Sequence, residues 1–74
     1  MKEKIGKIAG KIWEILKENE ELDISRIPRI LKEKSDVTYQ AIGWLAREDK
    51  IHYSKKSNKI YISLTEEERN VTLE

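Results

Sequence analysis

Side chains able to make and break covalent bonds are scarce in this chain: it has one histidine, His52, and no cysteine. Its carboxylates are scattered over what read as solvated helix faces. Hydrolysis or group transfer needs a nucleophile beside a base, or tuned acids and bases gathered in one cleft. A metal centre needs two or more His, Cys, Asp or Glu side chains that converge, and no spacing here supplies them. There is no glycine-rich phosphate loop. The residues therefore predict no enzyme, no metal and no cofactor.

Charge and hydrogen-bonding groups offer more. Lys50, Lys55, Lys56 and Lys59 fall within ten residues that contain no acid. Tyr39, Gln40, Gly43 and Arg47 recur at helical spacing, so one helix shows them on a single face, with Thr38 at its N-terminal end. Gln40 suits the N6/N7 edge of adenine, and Arg47 suits guanine or a phosphate. Gly43, without a side chain, lets a helix approach another surface closely. Arg26, Arg29 and Lys32 can add phosphate contacts, while Asp36, Glu48 and Asp49 oppose them. The same residues also admit a plainer reading. Tyr39 and Gln40 can be ordinary solvated positions, and lysines on a hairpin also guard a sheet edge against unwanted pairing.

Hydropathy patterning supplies the elements that would hold these groups. Over residues 3–18, Ile5, Ile8, Ala9, Ile12 and Leu16 form one apolar helical stripe. Gly6 and Gly10 each cost about 1 kcal/mol against alanine inside a helix. The expected compensation is another element lying close across the face they share with Trp13, with a ligand groove as the alternative. A short apolar segment at Leu22 and Ile24 follows. A second helix is predicted from an N-cap at Ser25, with Pro28 in its first turn and an end near Lys34. Ile27, Ile30 and Leu31 would face the core.

A third helix is predicted from a cap at Ser35 to about Glu48, with Asp36 beside its positive end. Val37 or Thr38, then Ala41, Ile42 and Leu45, make its buried stripe. Trp44 would cover the seam with a neighbouring element. Asp49-Lys50 ends this helix without glycine, so one of the two should be left-handed. Residues 51–54 and 60–64 alternate as two strands, joined by a lysine-rich turn with Ser57-Asn58 at its apex. Ile51, Tyr53, Ile60, Ile62 and Leu64 point inward and His52 outward. Thr65-Glu66-Glu67-Glu68 has the pattern of a capping box, giving a short last helix or a frayed tail.

Two crossed helices followed by a basic hairpin make a winged helix-turn-helix, an α+β fold with a three-helix core and a two-stranded wing. Seventy-four residues allow one modest core. Residues 1–65 form the predicted domain and 66–74 an acidic tail. Residues 1–64 hold 14 Lys/Arg against 10 Asp/Glu, a net +4, and the remaining ten residues carry −3. No apolar run suits a signal peptide or a membrane span, so a cytoplasmic protein is expected.

The stretch Val37-Thr38-Tyr39-Gln40-Ala41-Ile42-Gly43-Trp44-Leu45-Ala46-Arg47-Glu48-Asp49-Lys50-Ile51 resembles the core of an uncharacterised family of small archaeal and bacterial winged helix-turn-helix proteins. The opening Ile5-Gly6-Lys7-Ile8-Ala9-Gly10-Lys11-Ile12-Trp13 is similar to that family's first helix, and the Tyr61-Ile62-Ser63-Leu64 ending is similar too. The resemblance spans residues 3–65. It implies the winged-helix fold, and by analogy of fold a role in binding double-stranded DNA as a transcription regulator or accessory factor. The alternative is a protein docking module that does not bind DNA. A homodimer or a protein partner is compatible with either. The chain departs from the wider pattern by lacking glycine around Lys34-Ser35 and by carrying Asp49 where winged helices often have glycine.

Overall fold

A computed structural model of the protein describes residues 2–70. The order is α1 (Lys2–Glu18), β1 (Leu22–Asp23), a 3-10 turn (Ile24–Arg26), α2 (Ile27–Leu31), α3 (Ser35–Arg47), β2 (Ile51–Lys56), β3 (Lys59–Leu64) and α4 (Glu66–Arg69). The strands form one antiparallel sheet in the order β1-β3-β2. The register sets Leu22 opposite Ile62, Tyr53 opposite Ile62 and Ile51 opposite Leu64. Because β-strand side chains alternate, Ile51, Ile62 and Leu64 all point toward the helices.

The core joins Ile8, Ala9, Ile12 and Leu16 of α1 to Ile27, to Val37, Ala41, Ile42 and Leu45 of α3, and to those three strand residues. Each fully buried Ile or Leu contributes roughly 1.5–3 kcal/mol by leaving water. Ile5 packs against this cluster without being fully enclosed. Tyr53 and Ile60, expected to point inward, are exposed. Strand alternation puts them on the face of Ile51, Ile62 and Leu64, but both lie outside the buried cluster.

The second helix is shorter than its sequence suggests. Asp23, rather than Ser25, caps the 3-10 turn, its carboxylate accepting from the Ser25 N–H at 2.9 Å and from Ser25 Oγ at 2.8 Å. α2 then closes at Leu31 instead of near Lys34, since Lys32 takes a left-handed conformation with φ 57°. Its N–H donates to the Arg29 carbonyl and that of Glu33 to the Pro28 carbonyl, which is a Schellman closure. Ile30 is left exposed rather than buried.

α3 starts at Ser35, but no side chain caps it from the preceding position. The Asp36 carboxylate accepts from the Val37 N–H at 2.8 Å instead. The other end follows the expectation for Asp49, which has φ 58°. The Asp49 N–H donates to the Ala46 carbonyl and the Lys50 N–H to the Leu45 carbonyl, a second Schellman closure. In the hairpin, Ser57 and Asn58 both have positive φ, as a two-residue type I′ turn requires. That tight turn lets both strands run one or two residues farther toward the tip than predicted.

α4 forms as the capping pattern suggests, with Thr65 Oγ1 accepting from the Glu68 N–H at 3.3 Å. It is docked rather than frayed. Trp13 Nε1 donates to Glu68 Oε1 at 2.9 Å, and the Arg69 guanidinium donates to the Glu20 carbonyl at 3.1 Å. Tail residues 71–74 lie outside the described residues. Among the described residues no helix is long and apolar enough to cross a membrane.

Candidate nucleic-acid interface

α3 turns its buried stripe to the core and so shows Tyr39, Gln40, Gly43 and Arg47 to solvent. The sequence places these four on one face, and the structure does the same. Thr38 departs from the prediction. It is fully buried, with 0% exposure, and its hydroxyl donates to the Lys34 carbonyl at 2.8 Å. The same carbonyl accepts the Thr38 N–H at 3.0 Å, so the hydroxyl is satisfied within the first turn of α3 and Thr38 is a core residue closed to a base edge. Both members of the Val37/Thr38 alternative are inside.

The wing tip comes back toward the start of α3. Tyr39 of α3, Asn58, Lys59 and Ile60 of the wing, and Asp23, Ile24 and Ser25 surround one depression of about 280 Å³. Read from the sequence, Ser25, Asn58 and Ile60 have structural roles and do not stand among the candidate binding residues. The signal for them lies in the β1–β3 pairing, which folds the segment before α2 against the wing. Here Asp23 has a carboxyl pKa below the ordinary 3.8, chiefly through the Ser25 hydroxyl and N–H bonds, with Lys59 and Arg26 adding to it. Arg26 and Arg29 are exposed beside this region on the 3-10 turn and α2.

The acid-free lysine run is less naked in space than in sequence. Lys56 Nζ reaches back over the Tyr61 ring and meets Glu21 at 2.7 Å, a bond that raises its pKa. Lys50 pairs with Glu68 at 3.4 Å. Both counter-charges sit far away in the chain, one just before β1 and one on α4, so no local window reveals them. Lys55 and Lys59 are exposed and take part in no ion pair among the described residues. His52 is exposed, on the outward side of β2.

The glycine face of α1 is open. A Cβ at Gly6 or Gly10 would meet nothing within 4 Å, so among the described residues no element fills the expected notch. α4 reaches Trp13 but stops short of the glycines. Trp44 does stand on the seam between α1 and α3, yet 44% of it remains exposed.

Three helices around one core, two of them joined by a short turn, with an antiparallel hairpin behind α3, define a winged helix-turn-helix domain. The match to known sequences is specific. The chain belongs to the winged helix-turn-helix domain family DUF2582, whose model covers residues 1–64. The uncharacterized protein MJ1608 of Methanocaldococcus jannaschii is 47% identical over 64 residues, 82% of this chain and 90% of that protein. The solution structure of BT2368 from Bacteroides thetaiotaomicron superposes with a TM-score of 0.73 at 35% identity, over 81% of this chain and 73% of that one. The transcriptional regulator HlyU from Vibrio vulnificus superposes with a TM-score of 0.64 at 24% identity, over 76% of this chain and 62% of that one. At that identity HlyU establishes a shared fold alone.

Proposed function

We propose that this domain binds double-stranded DNA as a transcription regulator or accessory factor, acting in the cytoplasm and without catalytic activity of its own. One observation carries the reading. The face of α3 with Tyr39, Gln40, Gly43 and Arg47 stands beside a wing whose Lys55 and Lys59 are exposed and enter no ion pair among the described residues. A helix of this kind enters the major groove, and wing lysines meet the flanking phosphates. Arg26, Arg29 and, more weakly, the Glu21-paired Lys56 extend the phosphate contacts. The shared fold with HlyU supports the same reading by analogy.

The second reading is a protein docking module. Its support is that Tyr39, Trp44 and Ile60 keep 43%, 44% and 41% of their surface exposed, while Glu21 and Glu68 neutralise two of the lysines. A duplex titration of the full chain, followed by amide chemical shifts at two salt concentrations, separates the two. Shifts on α3 and the wing that shrink with salt support DNA binding. Shifts that are absent at low salt, or confined to α1, overturn it.

A further inference from the structure

Between α1 and α3 runs a groove of about 360 Å³ with apolar walls: Gly6, Ala9 and Gly10 on one side, Trp44 and Leu45 on the other. Trp13, Lys50 and Glu68 gather at one end of it, joined by their hydrogen bond and ion pair. Trp44 keeps 44% of its surface exposed on this rim. The backbone offers no internal reason for the glycines either. Gly6 and Gly10 have no positive φ, and among the described residues a Cβ on either would meet nothing within 4 Å.

The charges along α1 indicate what fits. At 100° per residue, Glu3, Lys7, Gly10, Glu14 and Lys17 fall within an arc of about 80° beside the groove. Glu3 and Lys17 are each seven residues from Gly10; Lys7 is three residues away and Glu14 four. Lys17 is already engaged, donating to the Arg69 carbonyl and lying over the Trp13 ring, which leaves the other charges to choose a partner. A second α1 running antiparallel across Gly10 would set Lys7 against the partner's Glu14, a pair occurring twice. A parallel copy would set like charges together, and a peptide of one sign would be opposed by half of this rim.

We propose that a second copy of this chain covers the groove, with the two α1 helices antiparallel and crossing at Gly10. The arrangement is isologous, as a two-fold dimer requires. Gly6 and Gly10 let the helix axes come closer than the usual 8–10 Å, and Trp13 and Trp44 lose their remaining exposure. Trp44 also borders Gln40, Gly43 and Arg47, so the groove adjoins the α3 face, and the test is made without DNA to keep the two readings distinguishable.

Sedimentation equilibrium of the full chain without DNA tests it. A dimer with a Kd below about 1 mM is expected. Lys7→Glu or Glu14→Lys alone should raise that Kd about tenfold or more, because symmetry places two like-charge pairs in the interface. The double variant Lys7→Glu/Glu14→Lys restores opposite charges and should return within about threefold of the original value. All these positions are exposed, and circular dichroism checks that each variant is folded. A monomer at every concentration overturns the proposal. So does a dimer indifferent to the single changes, or a double variant no tighter than the singles.

Discussion

Trp13 and Glu68 are 55 residues apart in sequence, and the indole N–H of the first donates to the carboxylate of the second at 2.9 Å. The same carboxylate pairs with Lys50 where α3 hands over to β2. One side chain of α4 therefore ties the first helix to the root of the wing.

Glu68→Ala should cost about 1–2 kcal/mol of unfolding free energy, since it leaves a partly buried indole donor and an ammonium without their acceptor. Exposed Glu67→Ala is the control and should be near neutral. Urea unfolding, together with hydrogen exchange of the Trp13 indole, reads the difference. Equal stability of the two variants would show that the α4 contact is incidental.

Left-handed residues that are not glycine offer stabilising changes. Asp49→Gly should gain about 0.5–1 kcal/mol, because it relieves a side chain at φ 58° while keeping the Schellman bonds. Asn58→Gly should gain a similar amount at the type I′ turn. A fall in melting temperature for either would mean that the replaced side chain makes a contact of its own.

Gly10→Ala should raise the stability of the dilute protein by about 1 kcal/mol, because its Cβ meets empty space and helix propensity is then the only change. Thermal unfolding at low protein concentration checks this. Destabilisation would point to a neighbour pressing on that face.

Acid should act on Asp23 in a defined direction. Its folded pKa is lowered by hydrogen bonds from Ser25, so the stabilisation is complete above the ordinary value of 3.8 and is lost as pH falls below it. In a carboxyl-carbon NMR titration, Ser25→Ala should move the Asp23 midpoint upward, because the hydroxyl donor is gone. An unmoved midpoint would refute that cause.

For the proposed DNA complex, Lys55→Ala or Lys59→Ala should each flatten the slope of log affinity against log salt by about 0.9. Lys56→Ala should flatten it less, because Glu21 already offsets that charge, and Glu21→Gln should tighten binding. Gln40→Ala should leave the salt slope alone and narrow the gap between best and worst sequences by about 1–3 kcal/mol. Three lysines with equal effects would contradict the role given to Glu21.

Much of this architecture is legible in the chain because it is periodic. The stripe Ile8, Ile12, Leu16 and the alternation Ile62, Leu64 fix which faces are inside. The misreadings occur where two local rules compete. Ser25 and Asp23 are both good caps, and only the β1–β3 pairing decides for Asp23. Thr38 is polar enough to read as surface, yet its hydroxyl is satisfied by the carbonyl of Lys34, so it can be buried without an unpaired group. Ile30 reads as core until Lys32 ends α2 early. At the candidate interface, the exposed face of α3 follows from spacing alone. The partners of Lys50 and Lys56 do not, since Glu68 and Glu21 meet them only through tertiary folding.

The joint after α3 has one more implication. The Lys50 N–H is held by the Leu45 carbonyl, while the Lys50 carbonyl accepts from the Thr65 N–H at 3.0 Å. Both backbone groups of Lys50 are thus committed, and no glycine loosens the corner. Helix and wing are clamped at one elbow, so they meet any surface as a calliper with a fixed gap. In the proposed DNA complex the duplex would have to conform to that gap, because the two jaws are not reset one at a time.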